Sequence, residues 1–319
     1  MRPEDAESEV QGLGLAEPPS SPADMNGLVN DFDWNSTPLG PAAEWPDSLT
    51  AVVRILLTSR FAMWMALGPE LTFLYNDAYR QMTLGKKHPW ALGRPAAEVW
   101  SEIWKDIGPR IQRVLETGEA SWEEELLLIL ERNGYPEETY HTFSYSPLAG
   151  PDGQITGMLC VVMEDTTRVI GERQLLCLRT LAATLGEAIT EQEVLASIER
   201  GLQANDKDLP FTLTYLFDES GTRLNLVCCT GIEADHPAAC PAIETTPAAG
   251  CWPIGQVLTQ KCAVTVDLSD YFVDLPTGVW EKAPSFARLV PIARQGQDKP
   301  AGVLIAALNP YRQLDTAYA

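Results

Sequence analysis

The side chains best suited to chemistry are seven cysteines and three histidines, and their spacing does not assemble a metal site. No two cysteines stand as Cys-x-x-Cys, and His88, His141 and His236 lie far apart along the chain. Structural zinc sites need about four such ligands at close, regular spacing. An odd number of cysteines also fits a disulfide framework poorly. We expect most of the cysteines to be small buried hydrophobic side chains in a reducing compartment.

Two arrangements come closest to a catalytic group. Cys240 follows His236 closely, but the intervening loop is broken by proline and offers no third side chain to orient the histidine. Glu123 and Glu125 fall on one face of an alternating strand, where a solvated acidic face is the ordinary explanation. The sequence therefore predicts no catalytic constellation in this chain, and we expect it not to be an enzyme.

The bulk composition narrows the remaining classes of function. At 319 residues the chain is long enough for two domains, each with its own core. A formal net charge of −21 and the lack of a basic stripe argue against nucleic-acid binding. No apolar run approaches the roughly 20 residues of a membrane span, and no basic-plus-apolar leader opens the chain. We expect a cytoplasmic protein without membrane insertion.

The N-terminal part divides into a tail and a cap. Residues 1–31 hold seven acidic residues, four prolines and no aromatic side chain, which predicts a disordered acidic tail. Residues 32–57 follow as a loop with two tryptophans and then a helix. Apolar residues of this helix recur at i, i+3, i+4, i+7 and i+8, and Asp47 or Ser48 is placed to cap its start.

Residues 58–168 follow the order β-β-α-α-α-β-β-β. Gly68-Pro69 separates the first two strands, and turn sequences rich in glycine and proline link the last three. Strands linked in this way form an antiparallel sheet, which the short helices cover on one face. The last strand then passes into a helix through Glu-Asp-Thr-Thr-Arg (164–168), with no glycine or proline to form a loop.

The helix after this joint is predicted over residues 169–195. It carries a seam of apolar side chains at a/d spacing: Leu175, Leu178, Ala182, Leu185 and Ile189. The seam predicts pairing of two copies, with a core helix as the alternative. At the joint, Asp165 is placed to pair with Arg168, and Thr166 or Thr167 to cap the helix. These contacts would couple the last strand rigidly to the seam.

Residues 196–319 predict a second antiparallel sheet with flanking helices. Its strands are expected near 211–218, 222–231, 263–268, 286–294 and 300–308, with a loop-like stretch at 231–256. A final helix barely begins at 314–319, so this domain reads as C-terminally incomplete. The predicted fold class is α+β, with two sheet-based domains joined by a helical linker.

Residues 58–168 resemble a PAS sensor domain. The segment 71–85 is similar to the PAS strand-into-helix segment, in which Asn76 ends the second strand, and residues 164–168 are similar to the junction that closes such domains. The resemblance implies a pocket between the sheet and the short helices. Its candidate lining residues are Asn76, Tyr79, Trp100, Trp104, His141 and Tyr145. The alternative is that the aromatic side chains simply fill the core.

Residues 196–319 resemble a GAF domain through the segments 209–231, 252–258 and 289–315. The candidates for its ligand pocket or for exposed thiols are Cys251, Trp252 and Cys262. Known cofactors of the two families fit poorly. The PAS segment lacks the reactive cysteine of flavin-binding photoreceptors and a histidine on the helix that would hold haem, and the GAF segment lacks the Cys-His pair that accompanies a bilin. We therefore expect no covalent flavin, haem or bilin.

Together the two resemblances imply the input half of a bacterial sensor or hybrid histidine kinase. Such a chain would act as a signal-sensing module and homodimer that regulates a C-terminal kinase in a phosphorelay, with a small-molecule ligand left open. A diguanylate cyclase or phosphatase as output, a ligand-free structural spacer, and a cysteine-based redox sensor are the alternatives. The expected mechanism is a population shift between arrangements of the paired helix.

Overall fold

The computed structural model describes residues 24–245, 251–293, 296 and 299–314. This part of the chain divides into two compact units, one within Met1–Glu123 and Phe143–Met163, the other within Glu124–Thr142 and Glu164–Ala319. Each unit contains antiparallel strands and flanking helices, so the predicted α+β class is confirmed. Among the described residues, no helix combines the length and the apolar character that crossing a membrane requires.

The first sheet has five antiparallel strands in the order β2-β1-β5-β4-β3. Its strands are β1 (Ala62–Leu67), β2 (Thr72–Tyr75), β3 (Ser121–Leu130), β4 (Glu137–Ala149) and β5 (Ile155–Glu164). The helices of this region are α1 (Met25–Asp31), α2 (Asp47–Thr58), α3 (Asp77–Tyr79), α4 (Ala96–Val99) and α5 (Trp104–Thr117). The predicted order of strands and helices is confirmed.

Helix α5 shows how the local sequence sets these elements. Ile107, Ile111 and Val114 recur at helical spacing and are all buried. Gly118 ends the helix in the left-handed conformation, with φ of 68°, where glycine avoids the strain of a side chain. Both features agree with the sequence pattern.

Two expectations for the N-terminal part are wrong. Residues 25–31 are not a disordered tail, because they form α1, whose Met25 and Val29 are buried. Asp24 caps this helix by accepting a hydrogen bond from the amide of Gly27 at 2.8 Å. Residues 1–23, the rest of that predicted tail, lie outside the described residues. Neither Asp47 nor Ser48 caps α2: Pro46 holds the cap position, and Asp47 is the first helical residue.

The predicted linker helix is shorter than expected. Helix α6 spans Thr166–Glu187, and α7 spans Glu191–Gln203. The break is explained by Thr190, which starts α7 with a capping box: its side chain accepts from the amide of Glu193, whose carboxylate accepts from the amide of Thr190. The a/d seam therefore ends within α6, and Ile189, which is 92% exposed, is not part of it.

The second sheet has six antiparallel strands in the order β8-β7-β6-β11-β10-β9. These are β6 (Thr212–Phe217), β7 (Arg223–Thr230), β8 (Ala242–Glu244), β9 (Val264–Asp267), β10 (Phe286–Ile292) and β11 (Gly302–Ala307), with helix α8 (Ile254–Gln260) against them. All five predicted strands are present, whereas β8 lies in a stretch expected to be loop. The predicted final helix lies almost wholly outside the described residues, and so does most of the turn before β11.

Candidate functional site

The side chain of Asn76, a candidate for the PAS pocket, forms hydrogen bonds to backbone groups. Its amide nitrogen donates to the carbonyls of Leu56, Ser59 and Phe61 at 3.0, 3.2 and 2.8 Å. Its carbonyl oxygen accepts from the amides of Met63 and Tyr79 at 3.1 and 2.9 Å. The side chain is fully buried. Asn76 therefore joins the end of α2 to β1 and caps α3, and these bonds leave it little capacity to bind a ligand.

The aromatic candidates of this region pack on one another. Tyr79 lies 6.3 Å from Trp100 between ring centroids, and Tyr79 also contacts Trp64 and Phe73 of the strands. Trp64 is 5.0 Å from Phe73 and 5.9 Å from Tyr145. All five rings are buried, and burial raises the pKa of the Tyr79 and Tyr145 hydroxyls well above the ordinary value. This geometry favours the core-filling alternative.

His141 and Trp104 are the two remaining candidates for the PAS pocket. His141 is 2% exposed, and its Nε2 is 3.1 Å from the hydroxyl of Thr139, whereas Nδ1 has no hydrogen-bond partner. Burial lowers the pKa of His141 to about 4, so the ring is neutral near pH 7. Trp104 is half-buried at the start of α5 and packs over Gly108. His141, Phe143 and Tyr145 on one face of β4 are all buried, and so is Tyr140 on the other face.

The predicted joint is present, with a single residue between strand and helix. Strand β5 ends at Glu164 and α6 begins at Thr166. Asp165 pairs with Arg168 at 3.1 Å, as expected, and it also accepts a hydrogen bond from the hydroxyl of Thr142 at 2.6 Å. Burial opposes ionisation of this carboxyl, but those two hydrogen bonds hold its pKa below the ordinary value.

The capping expectation at this joint is wrong. Asp165, not Thr166 or Thr167, occupies the cap position, and its carboxylate is turned away from the helix amides toward Thr142 and Arg168. The hydroxyl of Thr166 instead accepts from the amide of Tyr140 at 3.0 Å and donates to Glu164 at 3.0 Å. Hydrogen bonds to β4 thus hold the joint in place, and no side chain of the described residues caps the first amides of the helix.

Sequence reasoning missed a second arginine at the joint. Arg132 donates two hydrogen bonds to Glu164, at 2.7 and 2.9 Å, and a third to Glu137 at 3.2 Å. Arg168 also reaches Glu125 at 2.7 Å. Glu125 has a positive φ of 50°, so strand alternation fails there. Glu125 is exposed and pairs with Arg168, whereas Glu123 is half-buried and pairs with Arg110, so both acids take part in ion pairs.

A buried charge cluster lies one turn further along α6. Arg173 contacts Glu138 at 2.7 Å and Asp208 at 2.5 Å, and the side chains of these two acids are 0% and 4% exposed. Glu138 also accepts from Asn309 at 2.7 Å and from the hydroxyl of Tyr140 at 2.8 Å. Burial disfavours the charge on Arg173, but the hydrogen bonds to both acids raise its pKa. We call these five residues the Arg173 cluster; no sequence spacing indicates it.

The seam on α6 is exposed in the single chain. Leu175, Leu178 and Leu185 are 56%, 64% and 38% exposed, and Ala182 is exposed between them. An adjoining face of the helix packs on α7, where Leu181 covers Gly201 so closely that a Cβ at that position would clash with the Leu181 side chain. Helix α6 therefore has one covered face and one uncovered apolar face.

The three candidates in the second sheet region, Cys251, Trp252 and Cys262, differ in their bonding and exposure. Cys251 is not an exposed thiol, because it forms a disulfide with Cys240. Four of the other cysteines are free and are buried or half-buried: Cys160, Cys177, Cys228 and Cys229. Trp252 is 2% exposed, and its ring nitrogen donates to the carbonyl of Ala238 at 2.8 Å. Cys262 is the exposed free cysteine of the predicted pair.

An open cavity of about 560 Å³ adjoins Trp252 at the start of α8. Its walls mix apolar and polar side chains: Glu244, Trp252, Ile254, Gln256, Thr259 and Tyr271. The volume is in the range of small-molecule sites. Cys251 itself does not line it. Within the described ranges, no group of three or more His, Cys, Asp or Glu side chains is arranged to hold a metal ion.

Comparison with known proteins identifies the class of the first sheet region. Residues 57–170 match the family model described as PAS fold, which confirms the resemblance inferred for residues 58–168. The match covers roughly a third of the chain. The second sheet carries the strand segments on which the GAF resemblance rests. None of the curated proteins matches the sequence.

Three solved structures illustrate what the chain is similar to. One is the GAF domain of a phosphoenolpyruvate-protein phosphotransferase from Acinetobacter, with 16% identity over 46% of this chain and 82% of that chain, at a TM-score of 0.32. A sensory box sensor histidine kinase from Vibrio cholerae has 16% identity over 37% and 91%, at 0.27. A methyl-accepting chemotaxis protein has 19% identity over 43% and 84%, at 0.32.

Proposed function

We propose that this chain is the sensory and dimerisation region of a cytoplasmic signalling protein, a PAS domain followed by a GAF domain. It regulates an output domain, which we take to be a histidine kinase in a phosphorelay. In this proposal the chain itself performs no catalysis. A diguanylate cyclase or phosphatase as output would use the same input mechanism.

The observation that carries the proposal is the joint between β5 and α6. One residue separates strand from helix, and Asp165, Thr166 and Arg168 are each bound to neighbouring side chains or backbone. A flexible linker would absorb a small movement of the sheet, whereas this joint passes it to α6. A rigid connection of this kind is expected where a sensor must act on a helix, and a spacer has no need of it.

The uncovered seam supplies the second half of the mechanism. Burying a leucine side chain fully is worth roughly 1.5–3 kcal/mol, so an exposed row of three leucines favours pairing with a second copy. A two-fold symmetric dimer places the same seam on both helices. Ligand binding would then favour one arrangement of the helix pair over another, as a population shift.

Sedimentation of the 319-residue chain tests the dimer. We expect a dimer that Leu178→Glu converts to monomer, because the variant places a charge in an apolar interface. Thr180→Glu is the matched control, since Thr180 is exposed on α6 away from the seam. A monomeric parent chain, or equal effects of the two variants, would contradict seam pairing.

A crosslinking experiment tests the joint. A cysteine introduced at Leu178 reports the spacing of the paired helices through the yield of disulfide-linked dimer. We expect Asp165→Ala to change this yield while the dimer and its unfolding midpoint stay close to those of the parent. Glu187→Ala removes an exposed acid at the far end of α6 and serves as control. If Asp165→Ala leaves the yield unchanged, the joint transmits nothing and is only a strand-to-helix connection.

The disulfide between Cys240 and Cys251 supports a second candidate function, a thiol-based redox sensor. Two thiols would give up two protons and two electrons to a peroxide, which is reduced to water or an alcohol as the disulfide forms. We expect peroxide and dithiothreitol to shift the unfolding midpoint of the parent chain but not of Cys251→Ser. Cys262→Ser is the control for exposed thiol oxidation. A shift that persists in Cys251→Ser and vanishes in Cys262→Ser would place the response at Cys262.

A further inference from the structure

A second cavity, of about 350 Å³, lies at the end of the first sheet that is formed by its turns. Helix α2 and the loop before it form one wall, and the turn between β4 and β5 forms the other. The apolar side chains that enclose it are Leu39, Leu49, Val52, Leu67, Leu148 and Pro151. The cavity is separate from the aromatic core around Tyr79 and from the joint at the opposite end of β5.

The apolar face of helix α2 has a buried part and a half-buried part. Val53 and Leu56 are buried, as expected for residues that attach the helix to the sheet. Leu49 and Val52 are half-buried and line the cavity instead. Leu49 and Val52 therefore leave part of this single apolar stripe open to the cavity, where an apolar occupant would cover it.

The cavity walls resist collapse onto one another. Pro46, Pro147 and Pro151 all line it, and proline fixes its own φ near −65°. Leu39 rests on Gly68, whose φ of 70° and missing side chain leave room for it. Small-molecule sites in proteins are generally preformed in this manner, with volumes of about 300–1,000 Å³.

The lining also defines the chemistry of the occupant. No ionisable side chain is among the lining residues, and Ser48 and Thr156 supply the two polar side chains, both hydroxyls. The hydroxyl of Thr156 donates to the carbonyl of Leu148 at 3.4 Å. An ionised ligand would lose its hydration without a counter-charge, which is costly. At roughly 30 Å³ for each non-hydrogen atom, the volume accommodates about a dozen such atoms.

We propose that this cavity binds an uncharged, mainly aliphatic molecule with a single polar head, of the size of a medium-chain alcohol. The proposal does not depend on the sensory function, because it concerns binding alone. Thr156, which lines the cavity, lies near the start of the same strand whose last residue, Glu164, reaches the joint. An occupant at this place would therefore contact β5 directly.

Calorimetric titration of the full chain with 1-hexanol, 1-heptanol and 1-octanol tests the proposal. We expect one saturable site whose affinity rises about fourfold with each methylene, the increment for burying a CH₂ group. Octanoate, of equal length but charged, should bind more weakly than octanol. No saturable binding, or affinity independent of chain length, would overturn the proposal.

Two variants locate the site. Leu49→Trp and Val52→Trp each fill the cavity and should remove octanol binding, whereas Ile55→Trp, on the same helix at a position 60% exposed, should leave it unchanged. Equal helical circular dichroism and equal urea midpoints in the three variants establish that all are folded. Binding that survives both cavity variants belongs to another site, such as the cavity beside Trp252, and refutes the proposal. So does a shift from dimer to monomer in Leu49→Trp and Val52→Trp, which would make the cavity an interface between copies.

Discussion

Replacement of Arg173 by methionine should loosen the base of helix α6 more than any other single substitution on that helix. Arg173 is the shared partner of Glu138 and Asp208, whose side chains are almost completely buried. Methionine keeps much of the length of the side chain but removes the charge. Two carboxylates then remain close together in a poorly solvated place, and the nearest remaining cation, Arg312, lies 4.0 Å from Asp208.

The expected magnitude follows from the distances and burial. At an effective dielectric constant of about 20, unit charges 4 Å apart interact by roughly 4 kcal/mol. Removing one partner of a buried ion pair typically costs about 3–5 kcal/mol, because the other charge stays buried. We therefore expect Arg173→Met to lower the free energy of local opening by about 3–5 kcal/mol near pH 7.

Amide hydrogen exchange is the suitable assay, because it reports opening at single residues. The amide of Glu138 donates to the carbonyl of Tyr311 at 2.9 Å, and the amide of Asp165 donates to that of Tyr140 at 2.8 Å. Both bonds lie beside the Arg173 cluster, so both amides should exchange faster in Arg173→Met. Arg179→Met, at an exposed position on the same helix, should change either rate by less than about 0.5 kcal/mol.

A double-mutant cycle separates lost attraction from general disturbance. Glu138→Gln removes one of the two carboxylates, so combining it with Arg173→Met should cost less than the sum of the single effects, by at least about 1 kcal/mol. Additive effects, or a loss below about 1 kcal/mol in Arg173→Met alone, would refute the view that this cluster fixes α6.

Three further predictions, which use four substitutions, have distinct readouts. His141 is neutral when folded, with a pKa of about 4, and would take up a proton below about pH 6.5 when unfolded; stability should therefore fall by up to about 3 kcal/mol from pH 6.5 to pH 4, and His141→Gln should flatten this dependence in urea titrations. Asn76→Ala should cost about 3 kcal/mol or more in urea unfolding, because several buried backbone groups lose their partner; a cost below 1 kcal/mol would contradict that role. Gly201→Ala should destabilise by about 1–3 kcal/mol through its clash with Leu181, whereas Gly171→Ala, with open space around it in α6, should stabilise by roughly 0.5–1 kcal/mol; calorimetric melting distinguishes the two signs.

The sequence predicts the elements well where period and turn chemistry agree. The sequence predicts the order of strands and helices along residues 58–168, the end of α5 at Gly118 and the direct passage from β5 to α6, because each depends on neighbours in the chain. The break after Glu187 also has a local cause, the capping box of Thr190 and Glu193. The prediction misses it because the apolar a/d spacing continues to Ile189.

The candidate sites are less predictable, because they depend on residues far apart in the chain. Asn76 looks like a pocket residue in sequence, and only the fold shows that its five hydrogen bonds satisfy backbone groups between residues 56 and 79. Arg173 lies on α6 and Asp208 follows α7, and no spacing in the sequence predicts that they form an ion pair. The edge strand β8 lies between Cys240 and Cys251 in the chain, where the proline-rich sequence predicts a loop.

The single residue between β5 and α6 also limits how far the direction in which the leucine seam faces can change. A trans peptide unit has two soft torsions per residue, so Asp165 contributes only one φ and one ψ to the whole connection. Turning the seam by any large angle must use these two torsions or deform the strand or the helix themselves. Successive residues of a helix are about 100° apart around its axis, since there are 3.6 per turn. Insertion of one residue at this joint would therefore turn the seam through more than a quarter of a circle, whereas the same insertion after Glu187 would leave its direction untouched.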